Sequence, residues 1–223
     1  LLKGPDNLVS LTAMLFMFRE YQYAVCGDIK EMFHQTRIRQ EDRNSQRFLW
    51  FGPENNLETF EMAVMTFGAT CSPSSAQFVK NKNADEFCDE FPEAASAIKL
   101  KHYVDDYLDC RETEAELLTV AEQVKYIHKR GGAEICNWCS NSTLVVERLG
   151  ESSKISKNIS SDKYELSEKI LGMWWNTEND TFTFSLKYNR IKADLMNGNV
   201  APTKREVLRI LMSIYDPLGL LTN

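Results

Sequence analysis

No run of about 18 or more apolar residues occurs anywhere in the sequence, so it offers no candidate membrane-spanning helix. The N-terminus also lacks the basic, apolar, small-residue order of a secretory signal. Both absences favour an intracellular setting. Cysteine is sparse: Cys26, Cys71, Cys88, Cys110, Cys136 and Cys139 are scattered over 223 residues, unlike the dense framework of a small secreted domain, and reduced thiols are expected. Cys136 and Cys139 form a CxxC, but no second pair stands at ligand spacing and His128 falls on an expected helix, so a zinc site is not expected. Positive charge is in deficit, with a net charge of −6. That balance counts against a general nucleic-acid binder, because phosphate contacts need Lys and Arg. Local placement weighs more than the sum, since carboxylates collect where metals bind. No internal repeat is present.

Apolar residues are plentiful: 43% of the chain is hydrophobic and 11% aromatic, enough to bury a substantial core in one large domain or one and a half. Leu8, Leu11, Met14, Leu15 and Phe18 recur at spacings of three and four, which predicts an amphipathic helix ending near Tyr21. Tyr23 to Asp28 reads as a short strand with Asp28 at its end, followed by a polar stretch holding Arg37, Arg39, Arg43 and Arg47. Phe48 to Phe51 and Thr59 to Val64 flank Gly52-Pro53-Glu54-Asn55-Asn56, a hairpin with suitable turn residues. Ser72-Pro73 predicts a helix start with the hydroxyl as N-cap, running toward Cys88. Pro92 is expected to end that region, and Ile98, Leu100, His102 and Val104 alternate with polar residues as in a half-buried strand, with a turn at Asp105-Asp106. Thr113 with Glu116, and Thr203 with Glu206, predict capping boxes opening two further helices. Residues 150–163 read as a loop, and 170–175 and 181–185 as two strands. Helices alternating with antiparallel hairpins give an α+β fold class, a sheet with helices packed on one face.

Tyr103-Val104-Asp105-Asp106 is the sharpest chemical feature. Adjacent carboxylates on a turn repel, so in a fold they are solvated, protonated or neutralised by a cation. Alone, the pair also suits a plain polar turn. The ordered set of motifs resembles the polymerase motifs of reverse transcriptases, most closely those of Pao/BEL-type long-terminal-repeat retrotransposons. The likeness spans nearly the whole chain. Asp28-Ile29-Lys30-Glu31-Met32-Phe33 looks like the first catalytic motif, which implies that Asp28 binds metal and that Phe33 is a steric gate beneath the sugar, where a ring clashes with a 2′-OH. Core packing explains Phe33 equally well by residue type. Thr66 to Pro73 resembles the second motif, implying nucleotide contacts from Gly68 and from Phe67, which stands where many retroviral relatives have Gln. Tyr103 to Asp106 matches the third motif, with Tyr103 beside the nucleotide and Asp105 and Asp106 as catalytic metal ligands. The segment Gly131 to Asn141 resembles the fourth, with Asn137 where relatives often carry a lysine; Lys129 or Arg130 are the alternative proton donors. Leu171, Gly172, Met173 and Trp174 resemble the primer grip, although an aromatic core hairpin has the same composition.

The resemblance implies a palm with partial fingers over residues 1–175, and a strand and helix over 176–223 leading toward the thumb. It further implies RNA-directed synthesis of DNA on an RNA or DNA template with a primer and deoxynucleoside triphosphates, with the chain as part of a retroelement polyprotein. Its setting would be cytoplasmic, within retroelement particles, and no membrane is involved. Two Mg²⁺ ions about 3.5–4 Å apart, or Mn²⁺ in their place, would stabilise the attacking and leaving oxygens of the phosphoryl transfer. Two or three aspartates suffice for them, because Mg²⁺ keeps several water and phosphate ligands. The arginines at 37, 39, 43 and 47 read mainly as a solvated face, and the triphosphate-clamping fingertips, the thumb and the ribonuclease H are expected outside this stretch. A non-catalytic retroelement remnant that binds nucleic acid or protein is the competing expectation.

Overall fold

The computed structural model describes residues 2–150, 167–184, 191 and 193–220. The expected loop at 150–163 therefore lies outside the described residues except for Gly150, and so does Ser185. The chain divides into two compact units, Leu1–Lys154 and Ile155–Asn223.

In the first unit a helix, α1 (Leu11–Met17), opens at Ser10, whose hydroxyl accepts the Ala13 N–H and caps it. Strand β1 (Tyr23–Ile29) follows, then a hairpin of β2 (Arg47–Phe51) and β3 (Leu57–Glu61) in the expected place. Helices α2 (Ser72–Asp85) and α3 (Pro92–Leu100) lead to the short strand β4 (His102–Tyr103) and to β5 (Asp106–Arg111). Helix α4 (Glu114–Arg130), strand β6 (Ile135–Ser140) and helix α5 (Thr143–Leu149) complete the unit. The four central strands form one antiparallel sheet in the order β4-β5-β1-β6. One face carries the core: Val25, Ile29, Tyr107, Ile135 and Trp138 cluster with Ile98 of α3, with Leu117, Val120, Val124 and Ile127 of α4, and with Val145 and Leu149 of α5. Each fully buried Val, Leu or Ile contributes roughly 1.5–3 kcal/mol. Helix α1 lies against β4 and β5, and Cys110 Sγ donates to the Met17 carbonyl at 2.8 Å.

Three sequence expectations are corrected here. The alternation from Ile98 to Val104 is a strand only at His102–Tyr103: Pro92 opens α3 rather than ending a region, α3 runs on through Leu100, and its buried Ala94, Ala95, Ala97 and Ile98 follow helical spacing. Proline at the first helical turn needs no N–H partner, and small alanines allow close packing on α2 and α4. Ser72 is not the N-cap of α2; Cys71 holds that position, and the Ser72 hydroxyl instead donates to the Thr66 carbonyl at 2.7 Å. That helix stops at Asp85, short of Cys88. The capping boxes at Thr113/Glu116 and Thr203/Glu206 are both formed.

The second unit holds a three-stranded antiparallel sheet, β7 (Ser167–Ile170), β8 (Met173–Asn176) and β9 (Thr181–Thr183), then helices α6 (Ala193–Met196) and α7 (Lys204–Leu211). The third correction falls here. Residues 170–175 are not one strand but a hairpin, because Leu171 and Gly172 both take positive φ, 46° and 90°, and Ile170 pairs directly with Met173. A two-residue loop with both residues in that region matches the right-handed twist of its strands. At Gly172 a side chain would also collide with Tyr215, since an added Cβ would lie 2.5 Å from its ring.

Candidate active site

Strand β1 brings Asp28 to its C-terminal end, and the antiparallel register sets Asp28 directly opposite Asp106 on β5. Tyr103 pairs with Asp106 on the other side, so Val104 and Asp105 make a two-residue turn between β4 and β5. The turn is pinned at two points. The Ile29 N–H donates to the Asp105 carbonyl at 2.9 Å, and the buried Gln77 of α2 donates through Nε2 to the Val104 carbonyl at 3.1 Å. Val104 has φ 58°, a strained conformation for a β-branched residue, and these two hydrogen bonds hold it there. The outcome is that Asp28 and the adjacent pair Asp105 and Asp106, far from it in sequence, each offer an oxygen within 4.8 Å of the others. Among the described residues no other group of three His, Cys, Asp or Glu side chains converges in this way.

The electrostatics follow from that crowding. Burial, then the Asp105 charge, then Asp28 push the Asp106 carboxyl up to about 7. Asp105 is raised too, by burial first and by Asp28, against the lowering effect of a backbone hydrogen bond. Like charges directly opposed across a ladder are destabilising without a compensating cation.

Strand β6 adds a feature the sequence did not disclose. Opposite β1, Cys26 pairs with Cys139 and Asp28 with Cys136, so three steps on β6 oppose two on β1. The extra residue is absorbed in a bulge containing Asn137, which has φ 54°. The bulge turns the Cys136 thiol to the Asp28 side, 3.8 Å from its Oδ2. Burial, followed by the charges of Asp28 and Glu134, raises the Cys136 pKa, so it faces the aspartates as a neutral thiol. Gly27, between the paired positions, admits this close approach: an added Cβ would lie 2.7 Å from Ile135 Cγ2 and 3.0 Å from the Trp138 ring. Asn137 itself is exposed. A carboxylate at the end of a strand can be read from sequence; a bulge cannot, although the lone Asn between Cys136 and Trp138 is a residue type that tolerates positive φ.

The other expected site residues fall in two places. After β1 the chain turns through Glu31 at φ 50° into a short 3₁₀ turn, Met32–Gln35, which carries Phe33. Phe67 reaches it from the segment before α2, with ring centroids 5.0 Å apart at 85°, and also meets His34 at 5.5 Å. Phe67 is 69% exposed and Gly68, at φ 86°, has open space around it, while Phe33 is half-buried and packs against the core. Leu171, Gly172, Met173 and Trp174 belong to the second unit, at the turn joining β7 and β8. There the Tyr215 hydroxyl donates to the Leu171 carbonyl at 2.7 Å. Arg37, Arg39 and Arg47 are exposed, and Arg43 Nε donates to the Ile38 carbonyl at 3.2 Å.

The donor set fits a divalent cation. It is all hard carboxylate oxygen, the Cys136 thiol beside it is held protonated, and the raised Asp106 carboxyl marks a charge the protein leaves uncompensated.

Comparison with known proteins gives an independent reading of this geometry. The sequence profile of the family described as "Reverse transcriptase (RNA-dependent DNA polymerase)" matches residues 4–148. Among solved structures the chain is similar to the foamy viral protease-reverse transcriptase in complex with an RNA/DNA hybrid, with a TM-score of 0.53 and 15% identity over 92% of this chain and 22% of that one. It is also similar to the dRH form of that foamy viral protein in complex with double-stranded DNA, with a TM-score of 0.49 and 15% identity over 89% of this chain and 28% of that one. The chain thus spans less than a third of each of these two solved chains. No curated protein matches it. The antiparallel sheet backed by helices is the fold of a polymerase palm.

Proposed function

Since the chain belongs to the reverse transcriptase (RNA-dependent DNA polymerase) family, we propose that it is the catalytic palm of an RNA-directed DNA polymerase that adds deoxynucleotides to a primer 3′-hydroxyl. The observation that carries this reading is the convergence of Asp28, Asp105 and Asp106. These three would hold the divalent ions, Mg²⁺ being favoured by an all-oxygen donor set, with Mn²⁺ able to replace it. Bound there, such ions supply charge stabilisation to the attacking and leaving oxygens of a phosphoryl transfer.

The chain's own contributions are positional. The hydrogen bonds from Ile29 and Gln77 hold the Asp105 turn rigid, so the carboxylates need no rearrangement when substrate arrives. Phe33 stands on the turn that follows β1 and serves as the sugar gate; its ring would exclude a 2′-hydroxyl. Phe67, Gly68 and Tyr103 border the nucleotide, and the Leu171–Trp174 hairpin holds the primer end. Residues 1–175 then make up the palm with partial fingers, and 176–223 lead toward the thumb. The motif set further supports a Pao/BEL-type retrotransposon polyprotein as the setting, with RNA or DNA template, primer and deoxynucleoside triphosphates as partners.

A primed-template assay tests this reading. The parent protein carrying this chain should extend a primer with deoxynucleotides and Mg²⁺, and its Asp105→Asn variant should yield no product. Equal products from both would defeat the assignment, and no product from the unaltered parent would favour a non-catalytic remnant.

A further inference from the structure

Behind β1, on the helix-bearing face of the sheet, a cleft of about 50 Å³ is lined by Met32, Thr36, Lys80, Asn83, His128 and Gly131 among others. Lys80 of α2 is 5% exposed, and among the described residues its Nζ has no hydrogen-bond partner and no ion pair. His128 of α4 is 2% exposed and its Nε2 has no partner either. A buried ammonium without counter-charge is costly, and proteins neutralise it by pairing or by deprotonation. Burial alone brings the Lys80 amine down to about 7, with no carboxylate contributing. Burial, aided by Lys80, pushes the His128 imidazole down to about 3, so this ring adds a neutral N–H or lone pair and no second charge.

We propose that this cleft binds a small monovalent anion of halide or formate size, paired with the Lys80 ammonium and accepting from His128 Nε2. The size follows from the volume: a water-sized occupant takes about 10–15 Å³ by this measure, so the cleft admits a few heavy atoms and excludes nucleotides or phosphate esters. The sign follows from the lining, where the two orphaned nitrogens are the buried polar atoms in need of a partner. One charge is enough because only Lys80 carries one. Asn83 is already engaged, donating through Nδ2 to the Ile127 carbonyl at 2.9 Å, and so shapes the wall rather than the ligand. The proposal stands independently of polymerase activity.

The test is thermal melting of the full chain slightly below neutral pH, with bromide replacing gluconate at constant ionic strength. Gluconate is too large for the cleft. The wild type should gain a few degrees in Tm as bromide replaces gluconate, the Lys80→Met variant should gain nothing, and a surface control, Lys82→Met, should respond like the wild type. No gain in the wild type, or an equal gain in Lys80→Met, overturns the site and leaves the cleft to water. Should Lys80→Met not fold, crystals of the wild type soaked in bromide decide it: an anomalous peak within hydrogen-bonding distance of Lys80 Nζ is expected, and its absence is contrary.

Discussion

Asp106 faces Asp28 across the ladder and adjoins Asp105 at the turn, so its raised carboxyl carries a pH signature. Its folded pKa of about 7 lies above the ordinary value of 3.8, so the folded state holds a proton there that the unfolded state has lost. Stability from this group is full below the unfolded value and declines as pH rises through the folded one. Without divalent ions, Tm should therefore fall between about pH 4 and 7, and an Asp106→Asn variant should show a flatter profile over that range. Adding Mg²⁺ at neutral pH should raise Tm in the wild type and much less in the variant. Identical profiles for the two proteins would place the burden elsewhere. At Phe33 the expectation concerns selectivity: Phe33→Ala in the parent protein should raise ribonucleotide incorporation relative to deoxynucleotide, measured as a ratio of kcat/KM values. An unchanged ratio would reject the gate.

At the scale of elements, the strand pair β1–β5 depends on a buried charge that the sequence did not single out. Asp109 is fully buried and accepts from the Tyr107 hydroxyl at 3.1 Å, the Cys110 N–H at 2.8 Å and the Arg111 guanidinium at 3.1 Å, with Lys101 at 3.8 Å. Removing its charge takes the buried partner from Lys101 and leaves Arg111 only Glu93 at 3.5 Å, and Asp109→Asn should destabilise the chain by about 3–5 kcal/mol in denaturant titration. Helix α4 gives a smaller, cleaner number. Its capping box is solvent-exposed and local, so Thr113→Ala should cost roughly 1 kcal/mol without altering metal binding. Such local signals are what a sequence reveals well: the capping boxes, the start of β1 at Tyr23 and the β2–β3 hairpin all rest on neighbouring residues. The missed features depend on partners distant in the chain. Ile98 and Leu100 continue the alternation of β4 by coincidence, and only packing against α2 and α4 selects the helix for them, with Leu100 left 55% exposed. The bulge in β6 is likewise set by the register with β1, and the Leu171–Gly172 turn by the pairing of Ile170 with Met173.

Over the whole chain, a net charge of −6 is at odds with binding a polyanion unless the acidic residues are concentrated where cations neutralise them. Three of the carboxylates are concentrated so, while Arg37, Arg39 and Arg47 stay exposed. The family and the α+β palm were legible because the motifs come in a fixed order along the sequence, and the family match extends over residues 4–148. The convergence of the three aspartates was legible only as an implication of that resemblance. Spacing in sequence says nothing of a 4.8 Å cluster, which needs the β1–β5 register to form. The direct measurement is a titration of the chain with Mn²⁺ followed by electron paramagnetic resonance, which reads bound ion without requiring primer, template or a complete polymerase. The wild type should deplete the free Mn²⁺ signal saturably and Asp28→Asn and Asp105→Asn should each abolish most of that binding; variants that bind Mn²⁺ as the wild type does would contradict a metal centre at these three aspartates.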